Sequence, residues 1–381
     1  MRWSIFICGA GLLSLGSWID NMRGPLLPVI TKYMQLDYGA AAMIVSLGNL
    51  VAMVTTWLLM PLLNRWSLRQ VGISVLLYTV ATCAATIYVD TPFSLFLWGA
   101  LIGGCISTMG SLSNLFVQSS FDASRRGQMM SALHSLYGLS SFFAPLIAGI
   151  VLVQPENWKY LFAAAAPFAA ALATLIFFKG PPTESLASRR EKAQPMTLGR
   201  IHVLTICVLI AYVLGEVLTS TWMPAFLVQS YGISIKDASL YTSMFFGAML
   251  ITRVACGLWA RPRYHRLLIW VSLAGSLACF ITARLTGWLW LLPLTGIFGP
   301  FFPLYVTWVG LRFPERDRSM VIWMLAGMQA SLSIMNIAIG ALADLSGFAT
   351  AYWIPAFMIT MAMVLLKILE LRDPGAQVIK H

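Results

Sequence analysis

Charge is what this chain has least of. Of its 381 residues only 10% are Asp, Glu, Lys or Arg, against about 25% in a soluble domain. That scarcity excludes a soluble enzyme, a disordered chain and a basic nucleic-acid-binding module. Cysteine is sparse and carries no paired spacing. Cys8, Cys83, Cys105, Cys207, Cys256 and Cys279 each lie in an apolar stretch, and no C-x-x-C occurs. Such cysteines read as small buried hydrophobes and not as a disulfide or zinc framework. The four histidines, His134, His202, His265 and His381, are far apart and form no H-x-x-x-H pair. A Walker A motif and a nucleophile elbow are also missing, so no ATP-driven or acyl-transfer chemistry is indicated. No catalytic residue, metal or cofactor is expected, and the chain is read as a non-enzyme.

What remains is hydrophobic. Apolar types make up 59% of the residues, and the mean hydropathy is +0.79. A bilayer core about 30 Å thick needs roughly 20 apolar residues per helix. Twelve stretches qualify: 4–32, 40–63, 68–89, 92–120, 127–153, 158–179, 202–229, 237–260, 264–283, 287–312, 319–345 and 349–371. The breaks between them hold turn residues or charge, as at Asp37-Tyr38-Gly39, Asp90-Thr91-Pro92, Gln154-Pro155-Glu156-Asn157 and Ser346-Gly347. The apolar run after Met1-Arg2-Trp3 has no small-residue cleavage site before Asp20, so it is read as a retained first helix. One break differs from the others. Residues 180–201 read GPPTESLASRREKAQPMTLGRI, the longest polar stretch in the chain. The reading is an all-α membrane protein of two six-helix bundles, 1–180 and 201–372, with a cytoplasmic linker at 181–200 and a tail at 373–381.

The cations are distributed by side. With the N-terminus placed inside, the even-numbered connections, the termini and the adjoining helix ends hold 20 of the 25 lysines and arginines. Among them are Arg65, Arg69, Arg125, Arg126, Arg189, Arg190, Lys192, Arg253, Arg261, Arg263, Arg312 and Arg316. The opposite side holds Lys32, Lys159, Lys236 and Arg284, while Arg23 falls inside the first helix. This is the positive-inside pattern. It accounts for the net charge of +11 as topology and contact with anionic lipid. No nucleic-acid partner is needed. A multi-pass protein of the bacterial inner membrane, monomeric, with both termini cytoplasmic, is the expectation.

The two halves repeat one another weakly. An offset of 196 sets Asp20 on Glu216 and Pro28 on Pro224. An offset of 192 sets Gly104 on Gly296, Phe121 on Phe313 and Arg126 on Arg318, and brings the charged turns FDASRRG and FPERDRS into register. The offsets differ by four, about one helical turn. Internal repeats of this kind are a common construction of transporters.

Six plus six helices, a charged central linker and basic turns between helices 2–3 and 8–9 resemble the major facilitator superfamily. The stretch Phe246-Gly247 through Arg253 to Gly257 and Arg261 is similar to that family's eighth helix leading into a basic loop, and Asn64-Arg65-Trp66-Ser67-Leu68-Arg69 is its counterpart in the first half. Within the family, Asp20-Asn21-Met22-Arg23-Gly24-Pro25-Leu26-Leu27-Pro28 resembles the fucose–proton symporter-like branch. So do Leu133-His134-Ser135-Leu136-Tyr137-Gly138 to Ala144-Pro145-Leu146, and Glu216 with Trp222. The resemblance implies the major facilitator fold and symport of a monosaccharide with protons, with Asp20 at the position of the branch's helix-1 acid.

The residues themselves point to a limited set of site candidates. A carboxylate inside a membrane helix is costly and marks function by default, which singles out Asp20 and Glu216 as proton-coupling groups. Asp20 has a structural alternative, an ion pair with Arg23 three residues on. For Glu216 no basic residue lies three or four positions away. Arg23 is a candidate for holding an anionic substrate group, or else snorkels towards the outer surface. His134 with Tyr137, Asn114 with Gln118, and Gln329 with Asn336 each share a helix face. Those faces either line a polar cavity or hydrogen-bond between helices. Trp222 is a candidate for stacking on a ligand, with simple packing as the alternative. The expected function is secondary transport of a small solute by alternating access, driven by protons, the solute being a monosaccharide. Efflux of hydrophobic drugs or metabolites, on the Met- and Phe-rich stretch 222–249, and uptake of a small organic anion through Arg23 stand as alternatives.

Overall fold

The computed structural model describes residues 2–181, 199–259, 264–313 and 317–372. Most of the expected linker and the whole tail lie outside the described residues, as do Arg189, Arg190, Lys192, Arg261, Arg263 and Arg316. Among the described residues, twelve helical spans are long and apolar enough to cross a membrane. In the first half they are α1 Trp3–Met34, α2 Tyr38–Arg65, α3 Leu68–Tyr88, α4 Pro92–Ser120, α5 Gln128–Val151 and α6 Pro155–Lys179. In the second half they are α7 Arg200–Tyr231, α8 Ile235–Leu258, α9 His265–Thr286, α10 Leu291–Val309, α11 Trp323–Ser346 and α12 Phe348–Arg372.

Local chemistry sets the helix ends. Asp37 accepts from the amide of Ala40 at the start of α2. Ser67 with Gln70 starts α3, and Thr91 with Ser94 starts α4, each as a reciprocal capping box. Gly232 ends α7 in the left-handed conformation, at φ 65°, which costs a residue without Cβ nothing. Several spans are interrupted, α6 at Ala164 and α12 at Tyr352-Trp353 among them, and two of the breaks bear on the polar side chains of the candidate site. α1 breaks at Met22, between the helical stretches Arg2–Asn21 and Arg23–Met34. α10 narrows to a 3₁₀ turn over Thr295–Phe298 before the stretch Phe301–Arg312 resumes. Pro300 and Pro303 lie at this second break and lack the N–H that a continuous helix would use.

Among the described residues apolar burial falls into two large clusters and a small one at Ala10, Leu13, Val117, Phe121 and Leu133; the larger of the two, centred on the second half, also takes in Leu27, Ala41, Ala42 and Val45. The first gathers Trp98, Phe116, Trp158 and Phe162. The second gathers Trp222, Phe226, Phe245, Phe280 and Tyr352. Within it Tyr212 stacks on Phe301 at 4.0 Å and 17°, and Phe301 on Tyr305 at 5.2 Å and 16°. Lipid supplies no hydrophobic drive between helices, so close approach through small residues does the work. A Cβ at Gly103 of α4 would lie 2.1 Å from the carbonyl oxygen of Gly48 on α2. A Cβ at Gly296 of α10 would lie 2.1 Å from the carbonyl oxygen of Phe245 on α8. The two halves thus share a kind of contact: α4 seats on α2 as α10 seats on α8, at Gly103 and Gly296, one residue out of the register that an offset of 192 gives.

Among the described residues the halves meet where α2 packs on α11, where α5 packs on α8, and where Gly24 of α1 lies against the Thr221 and Ser220 carbonyls of α7; the first two seams differ in kind. At the first, Asp344 of α11 accepts from the amides of Tyr38, at 2.8 Å, and Gly39, at 2.6 Å. Those amides are two of the free donors at the start of α2. Beside them Gly340 lies against the Tyr38 carbonyl and Ala42, the Tyr38 ring meets Phe348 edge-on at 4.6 Å, and Ser333 donates to the Ser46 carbonyl at 3.0 Å. The second seam joins α5 to α8 by packing, with Gly149 against Ser239, Gly138 against Leu250 and Gly247 against Phe142. The first seam is a polar latch across the halves, whereas the second is built from side-chain packing. A capping carboxylate is worth ~1 kcal/mol, about fivefold in an opening equilibrium. Asp344→Ala is therefore expected to speed amide exchange around residues 38–42 by about fivefold, leaving residues 236–240 unchanged. Exchange mass spectrometry reads both. Equal rates around 38–42 in the two proteins would show the latch to be idle.

Candidate functional site

The break in α1 places three polar side chains together. Asp20 and Asn21 end its first stretch, and Arg23 begins the second. Arg23 forms an ion pair with the Asp20 carboxylate, and its Nε reaches the Asp20 carbonyl at 3.4 Å. The arginine is buried, 9% exposed, so it does not snorkel to the surface. One guanidinium nitrogen, Nη1, is buried with no partner. Asn21 turns the other way, to α5. Its Nδ2 donates to the Ser17 carbonyl at 2.8 Å and to Ser141 Oγ at 3.1 Å. Ser17 and Ser141 share a further bond of 2.8 Å. These contacts hold α1 and α5 side by side.

The second half supplies an acid with its own arginine. Glu216 on α7 accepts from the hydroxyl of Tyr212, one turn earlier. Arg253 on α8 lies 3.5 Å from its other oxygen, with side-chain exposures of 17% and 16%. Arg253 also donates from Nε to the Gly299 carbonyl at 3.0 Å. The sequence offered no partner for Glu216 because the partner is 37 positions away, on another helix. Arg253 reads in the sequence as one more cation near the inner end of a helix. The available signal was an arginine inside a membrane span with no acid one turn away on its own helix.

Tyr137 and His134 of α5 lie between the two ion pairs. Tyr137 is close to Asn21 and within electrostatic range of Asp20, Glu216 and Arg253. His134 is within range of Arg253. Asp20, Arg23, His134, Tyr137 and Glu216 therefore come together from α1, α5 and α7, joined by Asn21, Ser141, Tyr212 and Arg253. The remaining sequence candidates sit elsewhere. Trp222 is fully buried, and its indole donates to Asn336 Oδ1 at 2.8 Å. Asn336 in turn donates to the Leu332 carbonyl at 2.8 Å. That pair is an interhelical hydrogen bond between α7 and α11, and in this conformation neither side chain lines open space. Asn114 donates to the Gly110 carbonyl at 3.0 Å, and its buried Oδ1 has no partner. Gln118 is exposed one turn further along α4, and Gln329 is half-buried on α11.

A family model, the Major Facilitator Superfamily, matches residues 6–294 and, in a second match, 204–380. The chain belongs to the major facilitator superfamily. It is accordingly a multi-pass integral membrane transporter and not an enzyme. Among curated relatives, the multidrug resistance protein MdtM of Escherichia coli (strain K12) is 23% identical over 310 residues, 78% of this chain and 74% of that one. Among solved structures, the inward open conformation of the xylose transporter XylE from E. coli aligns with a TM-score of 0.77 at 12% identity, covering 96% of each chain. The E. coli fucose:proton symporter FucP aligns with a TM-score of 0.64 at 15% identity, over 96% of this chain and 98% of that one. These structural likenesses concern the fold. In the superfamily member described here, the two ion pairs come one from each half and face a common tyrosine.

Proposed function

We propose that this transporter moves a small neutral polyhydroxy solute, a monosaccharide, together with a proton. The halves 1–180 and 201–372 rock about a site between α1, α5, α7 and α8, from a bacterial inner membrane with both termini cytoplasmic. The observation that carries the reading is the pairing of charge. Each intramembrane acid at the site already has an arginine, Asp20 with Arg23 and Glu216 with Arg253. The site is then close to neutral, and a charged solute gains little there. Hydroxyl groups of a sugar find donors and acceptors in His134, Tyr137 and Asn21. A carboxylate that gains a proton releases its arginine, so protonation at Asp20 or Glu216 changes what holds the helices together. The contact of Asp344 with the Tyr38 and Gly39 amides supports a state closed at that end of the bundle, which the positive-inside pattern would make the outer one.

One observation favours a second reading. Arg23 Nη1 is buried and unpartnered, and a carboxylate on a small organic anion would satisfy it. Counterflow in proteoliposomes separates the two. Labelled monosaccharides are expected to exchange saturably and to accumulate when the interior is made alkaline. Saturable counterflow of organic acids, with none for any neutral sugar, would transfer the assignment to the anion.

A further inference from the structure

α10 contains a carbonyl that its own helix cannot satisfy. The Gly299 oxygen would normally accept from the N–H four residues on, but that residue is Pro303. Arg253 Nε of α8 supplies the missing donor at 3.0 Å. The neighbouring Phe298 carbonyl lies 3.5 Å from the hydroxyl of Tyr212. Arg253 and Tyr212 are also the two partners of Glu216. The 3₁₀ break of α10 is therefore tied, through the same pair of side chains, to the acid on α7. Packing keeps the tie short. A Cβ at Gly299 would lie 2.5 Å from the Met249 carbonyl oxygen and from Thr252 Oγ1, so the break sits directly on α8.

We propose that Arg253 is a positioning residue that transmits the charge state of Glu216 to α10. While Glu216 is ionised, the guanidinium is shared between its carboxylate on α7 and the Gly299 carbonyl on α10. When Glu216 takes up a proton, the ionic attraction is lost. Arg253 stays at Gly299, whose carbonyl it already holds, and the connection to α7 loosens. The stretch Phe301–Arg312 then pivots at Gly299-Pro300 independently of α7. The groups facing Glu216 are Tyr212 on its own helix, Arg253 from α8, and Tyr137 from α5, which also faces Asp20 of α1. None of these but Arg253 is a cation. The inference rests on the proton-coupled reading, of which Glu216 is one of the two acids.

Pro303→Ala is the informative substitution, because it returns an N–H to the Gly299 carbonyl. The first measurement is a thermal-unfolding cycle on the purified full chain: wild type, Arg253→Met, Pro303→Ala and the double variant. Arg253→Met is expected to lower Tm by several degrees, and by clearly less when Pro303→Ala is also present. An equal loss in both backgrounds would overturn the clasp. The second measurement is the pH profile of solute uptake in proteoliposomes. Pro303→Ala and Arg253→Lys, which lacks the separate Nε and Nη donors aimed at Gly299 and Glu216, are both expected to shift the profile relative to wild type. A pH-dependent wild type with an identical profile in Pro303→Ala would overturn the transmission while leaving proton coupling intact. A wild type with no pH dependence would overturn the coupled reading and the transmission step with it.

Discussion

Asp20→Asn is expected to abolish accumulation of solute driven by an imposed pH difference, while exchange of solute across the membrane continues. An intramembrane carboxylate that binds and releases a proton is the simplest device for coupling the two flows. Asn keeps the shape and removes the charge. One pH unit stores ~1.4 kcal/mol, about tenfold accumulation, so the loss is read directly as a tenfold fall at that gradient. The substitution also leaves Arg23 buried without its acid. Breaking a buried pair from one side costs about 3–5 kcal/mol, so folding must be checked separately. Asp20→Asn with Arg23→Gln removes both charges, and is expected to recover thermal stability without recovering accumulation. Glu216→Gln carries the same test into the other half. If Asp20→Asn still concentrates solute under a pH difference and Glu216→Gln does not, coupling belongs to the second half alone.

The largest effect on folding is expected at Gly103. A Cβ there would lie 2.1 Å from the carbonyl oxygen of Gly48 and 2.3 Å from its Cα. Both are backbone atoms, so no side chain can swing aside, and α2 and α4 must separate along the contact. A Cβ at Gly99, one turn earlier, would lie 2.7 Å from the Ile44 carbonyl oxygen, so that turn offers no slack. Overpacking a core costs typically about 1–3 kcal/mol even when side chains can adjust. Gly103→Val is expected to exceed that range and to remove the monodisperse peak in size-exclusion chromatography. Gly110, two turns further along the same helix, is the control. Nothing lies within 4 Å of its Cβ position, and Gly→Ala inside a helix is favourable by about 0.5–1 kcal/mol. Gly110→Ala should therefore raise Tm slightly. A normal peak from Gly103→Val would show that the α2–α4 contact is looser than described.

The sequence by itself determined how many helices there are, where they run and that two acids lie inside them. Hydropathy against the thickness of a bilayer is a local property, readable in a window of about 20 residues. The same locality made Arg23 visible as the partner of Asp20, three positions away on one helix face. The offset of the two halves was legible too, in an acid, a proline and a charged turn. Tertiary structure alone decided the rest. Gly103 and Gly110 are alike in the sequence and share one face of α4, two turns apart; only the divergence of α2 from α4 along that face leaves a Cβ no room at one and open space at the other. Arg253 reads as a helix-end cation until α7, α8 and α10 are set side by side and it falls between Glu216 and Gly299. Asp344 reads as an acid near a turn until α11 brings it to the open amides of α2 in the opposite half. Trp222 and Asn336, candidates for an open cavity, are closed on one another. In each case the deciding quantity is the relative rotation and depth of two helices far apart in the chain. That register is set by packing in lipid, where small residues and a few polar bonds choose among many similar apolar faces.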